Sequence, residues 1–179
     1  EDHPIQPTLT LSDVAQLCSK HVANLSDFAT SLGVNLEFHF INFDSKDIES
    51  LIPKGFKISP QLLTAPYFTC PVDIKWFDIL IDELLDMVIL LMAGSQNPKI
   101  SVTIETGNEW NLIKVTTGFT TLEEGDLNML FKAYYGDLSN KTNLRLGSGL
   151  EGLLAKTISD SLKIPLNAQL TNDQLILTL

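Results

Sequence analysis

The stretch LGSGLEGLLAK, residues 146–156, joins a glycine-rich turn to the start of a helix. Gly147, Ser148 and Gly149 precede leucines that recur at helical spacing. Turns of this kind often bind phosphate, because the free backbone N–H groups and the helix dipole both favour an anion. The same turn can also serve only to pack a helix on a sheet. Taken alone, the stretch leaves both interpretations open.

The composition indicates one acidic, globular domain. The chain has 179 residues, of which 44% are hydrophobic, so a single domain over residues 1–179 can bury a substantial core. The 22 acidic residues outnumber the 12 basic ones and give a formal net charge of −10. This charge argues against binding to nucleic acid, whose phosphates attract basic surfaces. It also argues against contact with anionic membranes.

Cysteine usage and the most apolar segment bear on the cellular compartment. No signal peptide opens the chain, and Cys18 and Cys70 have no metal-ligand spacing, so we expect a cytoplasmic protein with reduced thiols. The most apolar run, residues 76–92, contains four acidic side chains, which exclude a membrane-spanning helix there. Because the chain begins with Glu1, we expect it to be part of a longer protein.

The hydrophobic pattern predicts strands that alternate with helices. Two hairpins are expected, one turning at residues 107–108 and one at residues 171–173, and hairpins imply a mostly antiparallel sheet. The expected architecture is an α/β two-layer sandwich, in which a mixed, mostly antiparallel sheet is covered on one face by three helices. His21 on the first helix and His39 on a strand are expected to be surface residues. The predicted strands are 7–11, 35–41, 99–106, 109–117, 164–170 and 174–179. The helices are expected to begin near 12, 73, 123 and 150, and the third of them to cover residues 123–135. Residues 42–72 are expected to be irregular.

Four segments follow one another in an order that is typical of one family. ELLDMVILL (83–91) lies on the second long helix, and the strand NLIKV (111–115) runs into TTGFTTLEEGDL (116–127). The aromatic segment MLFKAYY (129–135) follows, and then the glycine run with Leu150. In this order, the segments resemble the N box, the D-x-G-x-G box, the F box and the G-x-G-L-G-L lid of the ATP-binding (catalytic) domain of sensor histidine kinases. The resemblance covers about residues 8–179 and implies the fold shared with gyrase, heat-shock-90 chaperones and MutL, known as the Bergerat fold.

The first two boxes of this resemblance depart from the family pattern. Glu83 stands at the first Asn of the N box, and Met87 stands at the Asn that holds Mg²⁺ in the family. A thioether is a poor ligand for Mg²⁺, which prefers oxygen. Thr117 stands where the family has the Asp that binds the adenine amino group, and Phe119 occupies a glycine position. Thr117 is therefore expected to be an ordinary residue near a strand end, and Met87 to pack in the core.

The lid segment is better preserved. Gly147, Ser148, Gly149 and Leu150 match the family pattern, but Glu151 then replaces a glycine. A carboxylate at the start of a helix stabilises the helix dipole by about 0.3–1 kcal/mol, and it would repel a triphosphate. The four matching residues, together with Glu83, Met87, Thr117 and Phe119, are the equivalents of the family's nucleotide site.

The resemblance and its departures lead to one main hypothesis. The chain is expected to be a degenerate ATP-binding domain, the C-terminal part of a longer bacterial protein of two-component signal transduction. It would act as a pseudokinase through docking, either on a response-regulator or phosphotransfer protein or on its own helical dimerisation domain. No catalytic residue, metal or cofactor is expected.

Two alternatives stay open. The domain could be an active ATP-dependent histidine kinase with a divergent pocket, which would need ATP and Mg²⁺ and for which Glu83 is a weak candidate for a catalytic base. It could also be a partner-switching module similar to the anti-sigma-factor kinases, which share the fold.

Overall fold

The computed structural model describes residues 10–42, 69–106, 111–132 and 149–179. Within these ranges, strands and helices follow the order that the hydrophobic pattern predicts. The strands are β1 (Thr10–Asp13), β2 (Asn35–Asn42), β3 (Thr69–Val72), β4 (Lys99–Thr106), β5 (Asn111–Phe119), β6 (Asn167–Thr171) and β7 (Gln174–Thr178). The helices are α1 (Val14–Ser31), α2 (Ile74–Met92), α3 (Glu124–Leu130) and α4 (Glu151–Leu162).

A five-stranded mixed sheet forms one layer of the molecule. Its strand order is β2-β4-β5-β7-β6, and a separate two-stranded sheet pairs β1 with β3. Only the β2–β4 pair in the larger sheet is parallel, whereas the other three pairs are antiparallel. The predicted α/β fold with a mixed, mostly antiparallel sheet is confirmed.

The helix α2 forms the centre of the core. The side chain of Asp73 caps its first turn by accepting a hydrogen bond from the Trp76 backbone N–H at 3.2 Å. From Phe77 to Met92, α2 is apolar on most of its surface, and a helix of this kind must be covered on several sides. The helices α1 and α4 and the strands β4 and β5 supply that cover.

Local turn chemistry fixes two of the element boundaries. Gly33 follows α1 with a φ of +74°, a conformation that glycine adopts readily at a helix end. Asn172 and Asp173 have φ values of 51° and 58° and form the tight turn between β6 and β7. The turn predicted at residues 171–173 is therefore confirmed, whereas the turn at 107–108 lies outside the described residues.

The structure differs from the predicted elements in three places. The segment 69–72 was expected to be irregular, yet it forms β3, because its backbone pairs antiparallel with β1. This pairing also extends β1 to Asp13, so α1 begins at Val14 rather than at the predicted Ser12. The third helix ends at Leu130 instead of continuing toward residue 135.

The position of His21 also differs from the expectation. The side chain was predicted to lie at the surface, but it is only 4% exposed. The side chain lies between α1 and α2, where each of its two ring nitrogens is within hydrogen-bonding distance of a carboxylate of α2. None of the helices in the described part of the chain is long and apolar enough to cross a membrane.

Candidate functional site

Three helices meet at Gly152, in the region where the sequence places the nucleotide-site equivalents. A Cβ atom built on Gly152 would lie 1.9 Å from the Leu130 carbonyl oxygen and 2.8 Å from the Met87 sulfur. Met87 and Leu130 are both fully buried. The helix α4 therefore lies directly on the C-terminal end of α3 and on the Met87 side chain of α2. Only a residue without a side chain fits at this crossing.

Carboxylates gather on α2 and α4 beside this crossing. Burial raises the pKa of Glu83, and the nearby charges of Glu151, Asp86 and Asp82 raise it further. Burial likewise raises the pKa of Asp86, with smaller contributions from Asp82 and Glu151. Among the described residues, the Asp86 Oδ1 atom is buried and has no hydrogen-bond partner. The region is therefore acidic and disfavours additional negative charge.

This acidic cluster was only partly visible in the sequence. The N-box pattern indicates Glu83, but it does not indicate that Asp82 lies close enough to raise the pKa of Glu83. The spacing of Asp82, Glu83 and Asp86 within about one helical turn is the signal that could have indicated the cluster. In the described part of the chain, no group of three or more His, Cys, Asp or Glu side chains has the geometry to hold a metal ion.

The hydroxyl group of Thr117 is used within the sheet. Its Oγ1 atom accepts a hydrogen bond from the Leu175 backbone N–H at 2.9 Å and donates one to the Gly118 carbonyl oxygen at 2.9 Å. Thr117 is 3% exposed and lies where the β5–β7 pairing shifts register between Thr116 and Phe119. At this irregularity, the Leu175 N–H therefore donates to the hydroxyl group of Thr117 instead of to a backbone carbonyl of β5. Thr117 is a structural residue of the sheet and not merely a strand-end position.

The remaining predicted site residues lie around the start of α4 and the end of β5. Phe119 is the last residue of β5 and pairs with Gln174 of β7. Gly149 has a φ of +74°, and Leu150 is the N-cap residue of α4. Gly147 and Ser148 lie outside the described residues. The structure therefore brings Met87 to the start of α4, and places Thr117 in the sheet.

No protein-family model and no curated protein matches the sequence. The histidine kinase AdeS of Acinetobacter baumannii is similar in structure, with a TM-score of 0.63 and 15% identity over 97% of this chain. The catalytic domain of the histidine kinase ThkA, in a nucleotide-free form, gives a TM-score of 0.64 and 11% identity over 96% of this chain and 92% of that domain.

A third similar structure is that of full-length ShkA in complex with AMPPNP. It gives a TM-score of 0.66 and 9% identity over 98% of this chain. The chain spans 66% of the AdeS chain and 32% of the ShkA chain. At these identities the likeness concerns the fold, and it agrees with the resemblance that the sequence motifs indicate. The chain has the fold of the catalytic, ATP-binding domain of histidine kinases.

Proposed function

We propose that this chain is a histidine-kinase-type domain of two-component signalling that has lost ATP binding and acts by docking to another protein. The observation that carries the proposal is the contact of α4 with Met87 and Leu130 at Gly152. In the family pattern, the residue at position 87 holds Mg²⁺ against the nucleotide phosphates. Here the side chain at this position is an apolar thioether, fully buried against the neighbouring helix.

The fit of ATP and Mg²⁺ to the residues present is poor at both ends of the nucleotide. Mg²⁺ prefers oxygen ligands, and Met87 offers sulfur. At the adenine end, the Thr117 hydroxyl already donates to Gly118 and accepts from Leu175. Each lost polar partner weakens binding by about 1–3 kcal/mol, so two losses correspond to about 30-fold to more than 10,000-fold weaker binding.

The charge of the region supports the same proposal. Glu151 replaces a glycine of the lid and raises the pKa of Glu83 and Asp86, which indicates that the three carboxylates act on one another. A triphosphate would have to approach these groups with its own negative charges. Without Mg²⁺ to neutralise it, the approach is unfavourable. Under this proposal, the surface of the domain serves to bind a partner protein.

The partners that fit this proposal belong to two-component signalling. They are a response-regulator or phosphotransfer protein, or the helical dimerisation domain of the same protein, in agreement with the histidine kinases that share the fold. NMR titration of the labelled domain with a receiver domain and, separately, with a helical phosphotransfer domain tests this part. Chemical-shift changes confined to one surface are expected with one of the two, and their absence with both contradicts docking.

Isothermal titration with ATP and Mg²⁺ tests the loss of nucleotide binding. We expect no heat of binding up to millimolar ATP, with ShkA as a positive control because it binds AMPPNP. A dissociation constant in the micromolar range would refute the proposal and favour an active kinase. The observation that favours this alternative is the buried Asp86 Oδ1 atom, which has no hydrogen-bond partner within the described ranges, because a carboxylate oxygen is a suitable Mg²⁺ ligand.

The variant Met87→Asn sharpens the test. It restores the amide that the family uses, but it leaves Thr117 and Glu151 in place. We expect it to bind ATP no better than the unchanged protein. Micromolar binding by Met87→Asn alone would indicate that a single side chain, rather than the whole region, has closed the site.

A further inference from the structure

The imidazole ring of His21 joins α1 to α2 through both of its nitrogen atoms. Nε2 lies 2.8 Å from Asp78 Oδ1, and Nδ1 lies 2.5 Å from Asp82 Oδ1. The two aspartates are one helical turn apart on α2, so both carboxylates face the same ring. The ring itself is buried, whereas the carboxylates are partly exposed. We call this arrangement the His21 clamp.

The chemistry of the three groups determines which protonation state completes the clamp. An ionised carboxylate only accepts hydrogen bonds. A neutral imidazole has one N–H group and one bare nitrogen, so it would direct a lone pair at one of the two carboxylates. The imidazolium donates from both nitrogens, and charged hydrogen bonds of this kind are short and strong. The contact distances of 2.5 and 2.8 Å fit this form.

In the part of the chain that the structure describes, no other charged group takes the place of the protonated ring as a partner for Asp78 and Asp82. Among the described residues, the ion pairs to the ring come from α2 alone, through Asp78 and Asp82. The strand β2, which also packs on α1, carries Glu37 and His39, and these two pair with each other. When the ring is neutral, the two aspartates keep their negative charges beside a buried group that no longer balances them.

We infer that the His21 clamp is a pH-sensitive link between α1 and α2, complete with a protonated ring and weakened when the ring loses its proton. Histidine in an unfolded chain releases its proton near pH 6.5. The protonated ring donates to both carboxylates, whereas the neutral ring donates to only one of them, so the clamp stabilises the folded chain more at low pH than at high pH. The helix α2, which bears Met87 and the acidic cluster, is then held less firmly on α1.

Urea unfolding of the 179-residue chain at pH 6 and pH 9 tests this inference. For the unchanged protein, we expect the folding equilibrium constant to fall at least about tenfold more over this range than for His21→Gln. The matched control is His39→Gln, which removes a histidine that is 35% exposed and paired with a single glutamate. Its pH dependence should follow the unchanged protein. Equal pH dependence of His21→Gln and the unchanged protein would overturn the inference.

A second variant and a direct measurement cover the case in which His21→Gln does not fold. In Asp82→Asn, the side-chain amide can donate to a bare ring nitrogen, so the neutral ring is also satisfied and the pH dependence should shrink. Nitrogen NMR of the unchanged protein at pH 6 should give the signals of a doubly protonated His21 ring. A neutral tautomer at that pH would show that the clamp does not hold a doubly protonated ring, and the inference would be wrong.

Discussion

The substitution Gly152→Ala tests the helix crossing on which the proposed function depends. It adds one methyl group at a position where a Cβ atom would lie 1.9 Å from the Leu130 carbonyl oxygen and 2.8 Å from the Met87 sulfur. The Met87 side chain can move aside, because methionine has three rotatable bonds. The Leu130 oxygen belongs to the backbone, so relief of that overlap requires α4 to move away from α3.

Two opposing contributions set the expected magnitude. Overpacking of a filled site destabilises a protein by about 1–3 kcal/mol, and a backbone overlap lies at the upper end of that range. Alanine in place of glycine favours a helix by about 0.8–1 kcal/mol. We therefore expect Gly152→Ala to lower the free energy of unfolding by about 2 kcal/mol. In a chain of this length, that corresponds to a Tm that is lower by about 4–8 °C.

Urea unfolding, followed by circular dichroism, measures this difference. Gly125→Ala is the matched control, because Gly125 also lies in a helix but has no atom within 4 Å of the added Cβ. This control is expected to gain about 0.5–1 kcal/mol. If Gly152→Ala is as stable as Gly125→Ala, the three helices do not touch as described, and α4 and Met87 do not close the nucleotide site.

Substitutions at three further positions probe the sheet, the acidic cluster and the core. Thr117→Val leaves the Leu175 N–H without its acceptor and should lower the free energy of unfolding by about 1–3 kcal/mol in the same urea assay. Thr117→Ser keeps a hydroxyl group and should lower the free energy of unfolding by less. Asp86→Asn should raise the free energy of unfolding at pH 7 by on the order of 0.5 kcal/mol, because burial raises the pKa of the carboxyl group. This gain in stability should vanish below about pH 4, where the Asp86 carboxyl group is neutral in both the folded and the unfolded chain. An equal gain for Asp27→Asn, which replaces an exposed aspartate, would contradict the prediction. Met87→Leu should cost less than about 1.5 kcal/mol and Met87→Asn about 2–5 kcal/mol, and equal Tm values for the two would argue against apolar packing at this position.

The larger elements of the fold could be predicted from the sequence because their signals are local. The stripe of apolar residues on α1, the long apolar run of α2 and the tight turn at 171–173 each depend on residues close together in the chain. The strand β3 could not be predicted in this way. It is four residues long, contains Pro71 and exists because it pairs with β1, which precedes it by a whole helix and a strand.

The sequence predicted which residue types occupy the candidate site, but it did not predict which residues they contact. The sequence indicated that Met87 and Thr117 replace functional residues of the family pattern. It could not show that the Thr117 hydroxyl accepts a hydrogen bond from Leu175, which lies 58 positions later. It also placed His21 at the surface, because the two aspartates that hold the ring are 57 and 61 positions away. Contacts over such separations arise from the folded arrangement and leave no local pattern.

The parallel pairing of β2 with β4 has a consequence for how the chain acquires its structure. The partner of β2 is synthesised only after β3 and the whole of α2. Until β4 emerges, the apolar surface of α2 lacks much of the layer that covers it. Pairings between distant segments also slow folding, because a long loop must close before they form. A chain that is truncated before β4 therefore exposes apolar surface of α2, and we expect it to bind chaperones or to aggregate rather than fold.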